Sequence, residues 1–319
     1  MALLTKLAQS LWPTAGISLT WRKLLYRQLC KGDATPNFPF SKDFFGLSYE
    51  GNLNNSIEAN ILFYGAFEKP LLYFLRDTWL NLSADNAVGQ KQAFVDIGAN
   101  IGQHSLFMSN YADRVFAFEP FSAVSSKLKR HISLNTIDNI QLEETALSDQ
   151  SEALEFYAPT GRNQGIGSFD ASTATKGNVA TSNLNLIRGD EFFSDQTQYS
   201  LDLIKIDVEG FEKKVIAGLQ NTLRSQRPVV VCEIRYGQEL SFSGLDDLLA
   251  LLPEDYELRR FDTRNPDGSK AKKRGSKAKH SGFYRIVPFS GWRESGQDDV
   301  IAVPTEKKLL IPGFSAESE

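Results

Sequence analysis

Three short stretches of this chain combine carboxylates with small residues at points where an apolar run ends. They are Asp96-Ile-Gly-Ala-Asn-Ile-Gly102, Phe118-Glu-Pro120 and Asp202-Leu-Ile-Lys-Ile-Asp-Val-Glu-Gly-Phe-Glu212. Asp96, Glu119 and Asp207 each close a run that reads as a buried strand. In an open α/β sheet, ligands bind beyond the carboxyl ends of the strands, near the point where strand order reverses. Gly98 and Gly102 allow backbone to approach a ligand and let the following helix start tight against its strand. Lys205 and Asp207 are two residues apart, so their side chains leave one face of a strand. An unpaired ammonium among Leu203, Ile204 and Ile206 would be costly, so Lys205 needs a partner, with Asp207 or Glu209 the candidates. Such a pair either stiffens the strand end or acts on a bound group; spacing does not choose between them.

The elements that must hold these residues follow from periodicity. Residues 1–90 read as a mainly helical extension, with a helix opened by Pro70, and residues 91–319 as the catalytic domain. Within the latter, strands are expected at 93–97, 114–119, 139–147, 152–157, 201–207 and 228–234. Further strands over 256–303 finish the chain. Helices are expected at about 102–110, 122–135, 210–220 and 243–252, and loops at 160–183 and at a basic stretch over 264–281. Strands separated by helices require a mostly parallel, doubly wound α/β sheet with right-handed crossovers. A late antiparallel strand closes it.

Glu119 also lies where dinucleotide folds place a ribose-binding acid, but the glycine spacing does not make room for a pyrophosphate. An acid ending the first strand repels phosphate and attracts the ammonium of a methionine moiety, which favours S-adenosylmethionine over NAD. The three motifs, in this order and spacing over 91–235, resemble the FkbM family of class I, Rossmann-like methyltransferases, and Asp299-Val-Ile-Ala-Val-Pro304 resembles its closing strand. The resemblance implies that Asp96, Gly98, Asn100 and Gly102 surround the amino-acid end of S-adenosylmethionine. It implies that Glu119 holds both ribose hydroxyls and that Thr145 and Ala146 border the adenine. It also implies an enzyme that methylates a hydroxyl on a sugar, glycan or small natural product. The remaining readings are a nitrogen acceptor, an NAD-dependent oxidoreductase and a non-catalytic cofactor-binding protein. Asp207 or Glu209 would take the acceptor proton, and Lys205 would stabilise the developing alkoxide or set the carboxylates' ionisation.

Other residues have both a packing reading and an acceptor reading. They are His104 after the glycine turn, Glu233 near the end of the fifth core strand, and Ser168 in Gly165-Ile-Gly-Ser168. Composition narrows the class. At 319 residues, 41% hydrophobic and 23% charged with net charge −4, the chain is an ordinary globular protein with no global reason to bind nucleic acid. Cys30 and Cys232 make no disulfide framework, and the spacing of His104, His131 and His280 suggests no metal. No run approaches the ~20 apolar residues that span a bilayer. The apolar stretches after Met1 fall short of a signal-peptide core, so a cytoplasmic location is the expectation. Residues 2–12 read as an amphipathic helix that caps the main domain or, as a weaker reading, rests on a membrane surface. The basic segment 270–280 reads as a solvated loop, or as an attractor of an anionic acceptor or membrane.

Overall fold

The computed structural model describes residues 7, 11, 16–30, 37–87, 89–160, 167–171, 174, 177–237, 240–265, 269 and 271–314. The chain divides into two compact units, residues 1–67 with 161–163, and residues 68–160 with 164–319. In the first unit, α1 (Leu19–Leu29) precedes a hairpin of β1 (Pro39–Phe44) and β2 (Leu47–Asn52), then α2 (Ser56–Tyr64). The hairpin departs from the mainly helical expectation. Phe45 and Gly46, both at positive φ, make the two-residue turn whose twist matches paired strands. The helix expected over 2–12 lies outside the described residues apart from positions 7 and 11.

The second unit begins with α3 (Lys69–Asp85), whose Pro70 occupies the first turn. Its buried face includes Leu72, Phe74, Leu75 and Trp79, and the Trp79 indole N–H donates to the Tyr111 carbonyl (3.2 Å). This burial ties the helix to the second unit, so the units divide between residues 67 and 68 and not at 90. Then follow β3 (Gln92–Ile97), α4 (Gln103–Met108), β4 (Arg114–Phe118), α5 (Ser122–Asn135), β5 (Ile140–Glu143), β6 (Ala146–Ser148), β7 (Glu152–Pro159) and β8 (Asn178–Arg188). The chain continues through α6 (Gly189–Ser194), β9 (Ser200–Ile206), α7 (Glu212–Gly218), α8 (Gln220–Gln226) and β10 (Val229–Tyr236). It closes with α9 (Leu245–Leu249), β11 (Tyr256–Phe261), α10 (Lys272–Ser281), β12 (Ile286–Pro288) and β13 (Gly296–Pro304).

The main sheet runs β12-β11-β13-β10-β9-β3-β4-β5. Strands β10, β9, β3, β4 and β5 are parallel, and β13 pairs antiparallel with both β10 and β11. From β3 the chain steps outward to β4 and β5, then returns to β9 on the other flank. Strand order therefore reverses between β3 and β9, which is where such folds bind ligands.

Three expectations fail locally. The strand expected over 139–147 is cut at residues 144 and 145: β5 stays in the main sheet, while β6 joins a second sheet of order β6-β8-β7. Strand β8 occupies the end of the stretch read as loop; Ala180, Thr181, Ser182 and Asn183 are exposed, so no apolar alternation announces it. The basic stretch read as loop contains α10, a helix with no buried residue and therefore no apolar stripe to detect.

Candidate functional site

The turn after β3 is fixed by the strands beside it. Gly98 has φ +79°, and a Cβ there would collide with the Asp207 carbonyl oxygen. Gly102, at φ +84°, is pressed against Leu128 in the same way. The N–H groups of Gly98 and Ala99 both donate to the Phe118 carbonyl (3.0 and 2.9 Å), clamping the turn to the end of β4. Glu119 completes the clamp: Asn100 N–H donates to its Oε2 (2.9 Å) and Phe121 N–H to its Oε1 (3.0 Å). Each oxygen thus has one donor and keeps further acceptor capacity. Burial outweighs these two bonds and pushes the Glu119 carboxyl up to about 7.

A hollow of about 660 Å³, measured with its open mouth, lies over this turn. Gly98, Asn100, Glu119, Ala146, Asp207 and Glu209 contribute to its wall. So do Phe121, Phe156, Phe169 and Phe211, successive rings with centroids 5.2 Å apart. The sequence reading missed these aromatics, although Phe121 directly follows the Phe-Glu-Pro motif. Thr145 does not line the hollow; its exposed hydroxyl donates to the Asn185 carbonyl (2.9 Å).

Beneath the hollow, Lys205 pairs with the expected Asp207 but has a nearer partner that the sequence reading did not name. Strands β3 and β9 place Asp96 directly beside Lys205, and Lys205 Nζ donates to Asp96 Oδ1 at 3.1 Å. Asp207 Oδ2 is farther, at 3.8 Å, and the Ser105 hydroxyl donates to Asp96 Oδ2 at 2.6 Å. The cause is lateral: a residue two positions along a strand is no nearer than one directly across a ladder. Asp96 is 0% exposed and already neutralised, so it cannot itself receive a ligand's ammonium; it anchors Lys205 and α4. Burial alone would raise the Asp96 carboxyl, but Lys205 holds it below the usual aspartate value.

Beyond Asp207 the site becomes a basin of acids. Glu209, at φ +55°, pairs with the Arg235 guanidinium (2.6 Å), which also reaches Glu233 (3.2 Å). Ligand atoms of Asp207, Glu209 and Glu233 lie within 4.8 Å of one another, close enough to share a metal ion, though Arg235 already supplies two of them with positive charge. Ser168 is 1% exposed and donates its hydroxyl to the Glu209 carbonyl (2.9 Å), so it holds this loop from within. Burial, with Asp207 as neighbour, raises the carboxyls of Glu209 to about 8 and of Asp299 to about 7, and raises Glu233 well above its usual value. Burial with Asp299 and Asp207 does the same to Glu68, which precedes α3. His104 is buried with its Nε2 unbonded, 3.9 Å from Glu68; burial and Lys205 depress it to about 3, leaving a neutral imidazole. Glu68 and Arg235 gave no signal in the sequence because nothing local distinguishes them; Asp299 stood unremarked in the closing strand.

Comparison with known proteins bears on this arrangement. The sequence profile of the methyltransferase FkbM domain matches residues 96–261, just over half of the chain. The hexuronic acid methyltransferase AglP of Haloferax volcanii is 33% identical over 143 residues, which cover 44% of this chain and 55% of that protein. The 2-O-methyltransferase NoeI of Sinorhizobium fredii is 25% identical over 175 residues, 50% of this chain and 68% of that one. Methyltransferase 1 of Beauveria bassiana is 27% identical over 144 residues, 40% of this chain and 58% of that one. The chain thus spans little more than half the length of the first curated relatives it matches. Glu119, Asp207 and the glycine turn between them all fall inside the profile match, and the chain belongs to the FkbM methyltransferase family.

Proposed function

We propose that this protein binds S-adenosylmethionine in the hollow over the Gly98 turn and transfers its methyl group to a hydroxyl of a sugar, glycan or small natural product. The observation that carries this reading is Glu119. Its carboxylate is braced by two backbone N–H groups at the carboxyl end of β4, next to the β3 turn, and acceptor capacity remains on both oxygens. A nucleoside ribose presents the matching pair of hydroxyl donors. The turn fits the group as well: Gly98 and Asn100 line the hollow, and four aromatic rings offer apolar cover for a purine.

S-adenosylmethionine, when bound, supplies an electrophilic methyl. The chain's own residues then have to align the acceptor oxygen and remove its proton. Asp207 is the proton acceptor in this reading, since it lines the hollow and stays partly exposed, at 29% of its side chain. Lys205 positions it from below. Glu209 is engaged by Arg235 and raised by burial, so it serves better as a hydrogen-bonding wall than as a base. An oxygen acceptor is supported by the names of two relatives, a hexuronic acid methyltransferase and a 2-O-methyltransferase. Isothermal titration tests the cofactor: S-adenosylhomocysteine should give binding heat, NAD none, and Glu119→Ala should weaken the former. Unchanged affinity in that variant would remove Glu119 from the ribose role. Tritiated-methyl transfer into fractionated cell extract then identifies the acceptor and whether oxygen or nitrogen is labelled.

A further inference from the structure

Helix α10 lies outside the residues matched by the family profile, and its charge is not explained by folding. Its ten residues, Lys-Lys-Arg-Gly-Ser-Lys-Ala-Lys-His-Ser, include five Lys or Arg and no acid, within a chain of net charge −4. Lys272, Lys273 and Arg274 stand in the first turn, against the positive end of the helix dipole, with no acidic residue and no side-chain cap to relieve them. Among the described residues Lys272, Lys273 and Lys277 make no ion pair, and Arg274 has only Asp262, at 3.4 Å. No residue of the helix is buried, so packing does not compensate for the repulsion. Charge crowding kept at an exposed site against local stability favours a function that needs an anion there.

The surroundings point to the kind of anion. A groove beside the helix is lined by Arg274, Lys277, Phe283, Tyr284 and Arg285, with Asp262 as its one acid, paired to Arg274. Phe283 is 60% exposed, and Lys277 Nζ lies 5.5 Å from its ring centroid, so cation and aromatic face are offered together. Thr263 and Gly275 border both this groove and a second hollow, which runs from Lys272 to Asp299. Asp299 in turn belongs to the acid basin around Asp207. The basic, aromatic groove and the hollow that ends at Asp299 therefore share part of their walls.

We propose that the acceptor carries a phosphate-bearing segment, which α10 and Phe283 hold while its uncharged hydroxyl reaches Asp207. The inference rests on the methyl-transfer reading above for the acidic end only. The two ends differ in what they offer, carboxyl groups around Asp207 and exposed cations on α10, and this fixes the acceptor's direction with its phosphate at α10. The α10 side chains have a single apolar member, Ala278, so the helix lacks the apolar face with which interfacial helices enter a membrane. A soluble glycosyl phosphate or diphosphate is the occupant this chemistry selects.

The test uses UDP-glucose and inorganic pyrophosphate as probes against the full chain, with the exposed triple variant K272E/K273E/K277E and with Phe283→Ala. Both probes should bind the unmodified protein, more weakly as salt rises, and should lose at least about tenfold in affinity in the triple variant. Phe283→Ala should weaken UDP-glucose more than pyrophosphate. S-adenosylhomocysteine should bind the unmodified and triple-variant proteins equally. Absence of probe binding, or equal binding to the unmodified protein and the triple variant, overturns the proposal. So does a protein that ignores both probes but sediments with phosphatidylglycerol vesicles. Probe binding that depends on α10, in a protein that gives no heat with S-adenosylhomocysteine, refutes the cofactor reading alone.

Discussion

Replacing Lys205 by Met tests the arrangement beneath the hollow, because methionine matches the lysine stem and removes only the charge. Lys205 and Asp96 have side chains 4% and 0% exposed, at 3.1 Å, so solvent neither screens their attraction nor rescues a survivor. In the variant, Asp96 keeps one bond, from the Ser105 hydroxyl. Breaking a buried pair on one side costs about 3–5 kcal/mol. That is a large part of the roughly 5–15 kcal/mol that holds a typical domain together. Urea unfolding followed by fluorescence of Trp79 and Trp292 in the second unit reads the loss directly. The second change Asp96→Asn removes the stranded charge, so the double variant should regain about 2 kcal/mol or more over Lys205→Met alone. The pH dependence has a definite sign. In the unmodified protein the folded Asp96 titrates below the ordinary value, so its contribution is present above that ordinary value and lost only as pH falls through the lowered one. Without Lys205, burial raises the Asp96 carboxyl, and stability is then lost as pH rises through the raised value. The variant's deficit should accordingly be smallest in mild acid and grow towards neutrality. A loss below about 1 kcal/mol, or a deficit independent of pH, would refute the pairing of Asp96 with Lys205 as the element that supports Asp207.

Gly98→Ala places a Cβ against the Asp207 carbonyl at a positive φ, so thermal unfolding should show a loss of about 2 kcal/mol or more, together with lost S-adenosylhomocysteine binding. Asp207→Asn should lower turnover by about 10²–10⁴-fold in a methyl-transfer assay while cofactor affinity stays within a few-fold; a fully active variant removes Asp207 from proton acceptance. Because Glu119 sits near 7, affinity for S-adenosylhomocysteine measured by titration should fall as pH drops below that value, by about tenfold per unit at the limit, and Glu119→Gln should flatten the profile. Ser168→Ala deletes the hydroxyl bond to the Glu209 carbonyl; denaturant unfolding should show a loss of about 0.5–1.5 kcal/mol with no change in cofactor affinity.

Much of the scaffold was legible in the sequence because its determinants are local. Apolar runs that end in Asp96, Glu119 and Asp207 give β3, β4 and β9, and the glycines after Asp96 give a turn only they can adopt. Helix α3 was marked by its proline and α5 by its periodicity. The failures share a physical character. Hairpin β1–β2, strand β8 and helix α10 expose enough polar surface that no apolar period marks them.

The sequence by itself determined a doubly wound sheet with acids at the ends of its strands, since alternation, strand ends and turn residues are read from neighbours along the chain. Only the tertiary structure decided which charges meet. Lys205 lies across a ladder from Asp96, 109 positions away, and at 3.1 Å is nearer to it than to its sequence neighbour Asp207 at 3.8 Å. Arg235, Glu68 and Asp299 join one basin from three distant elements. Pairing across a sheet depends on strand order and register, which are properties of the packed molecule and leave no mark at either residue alone.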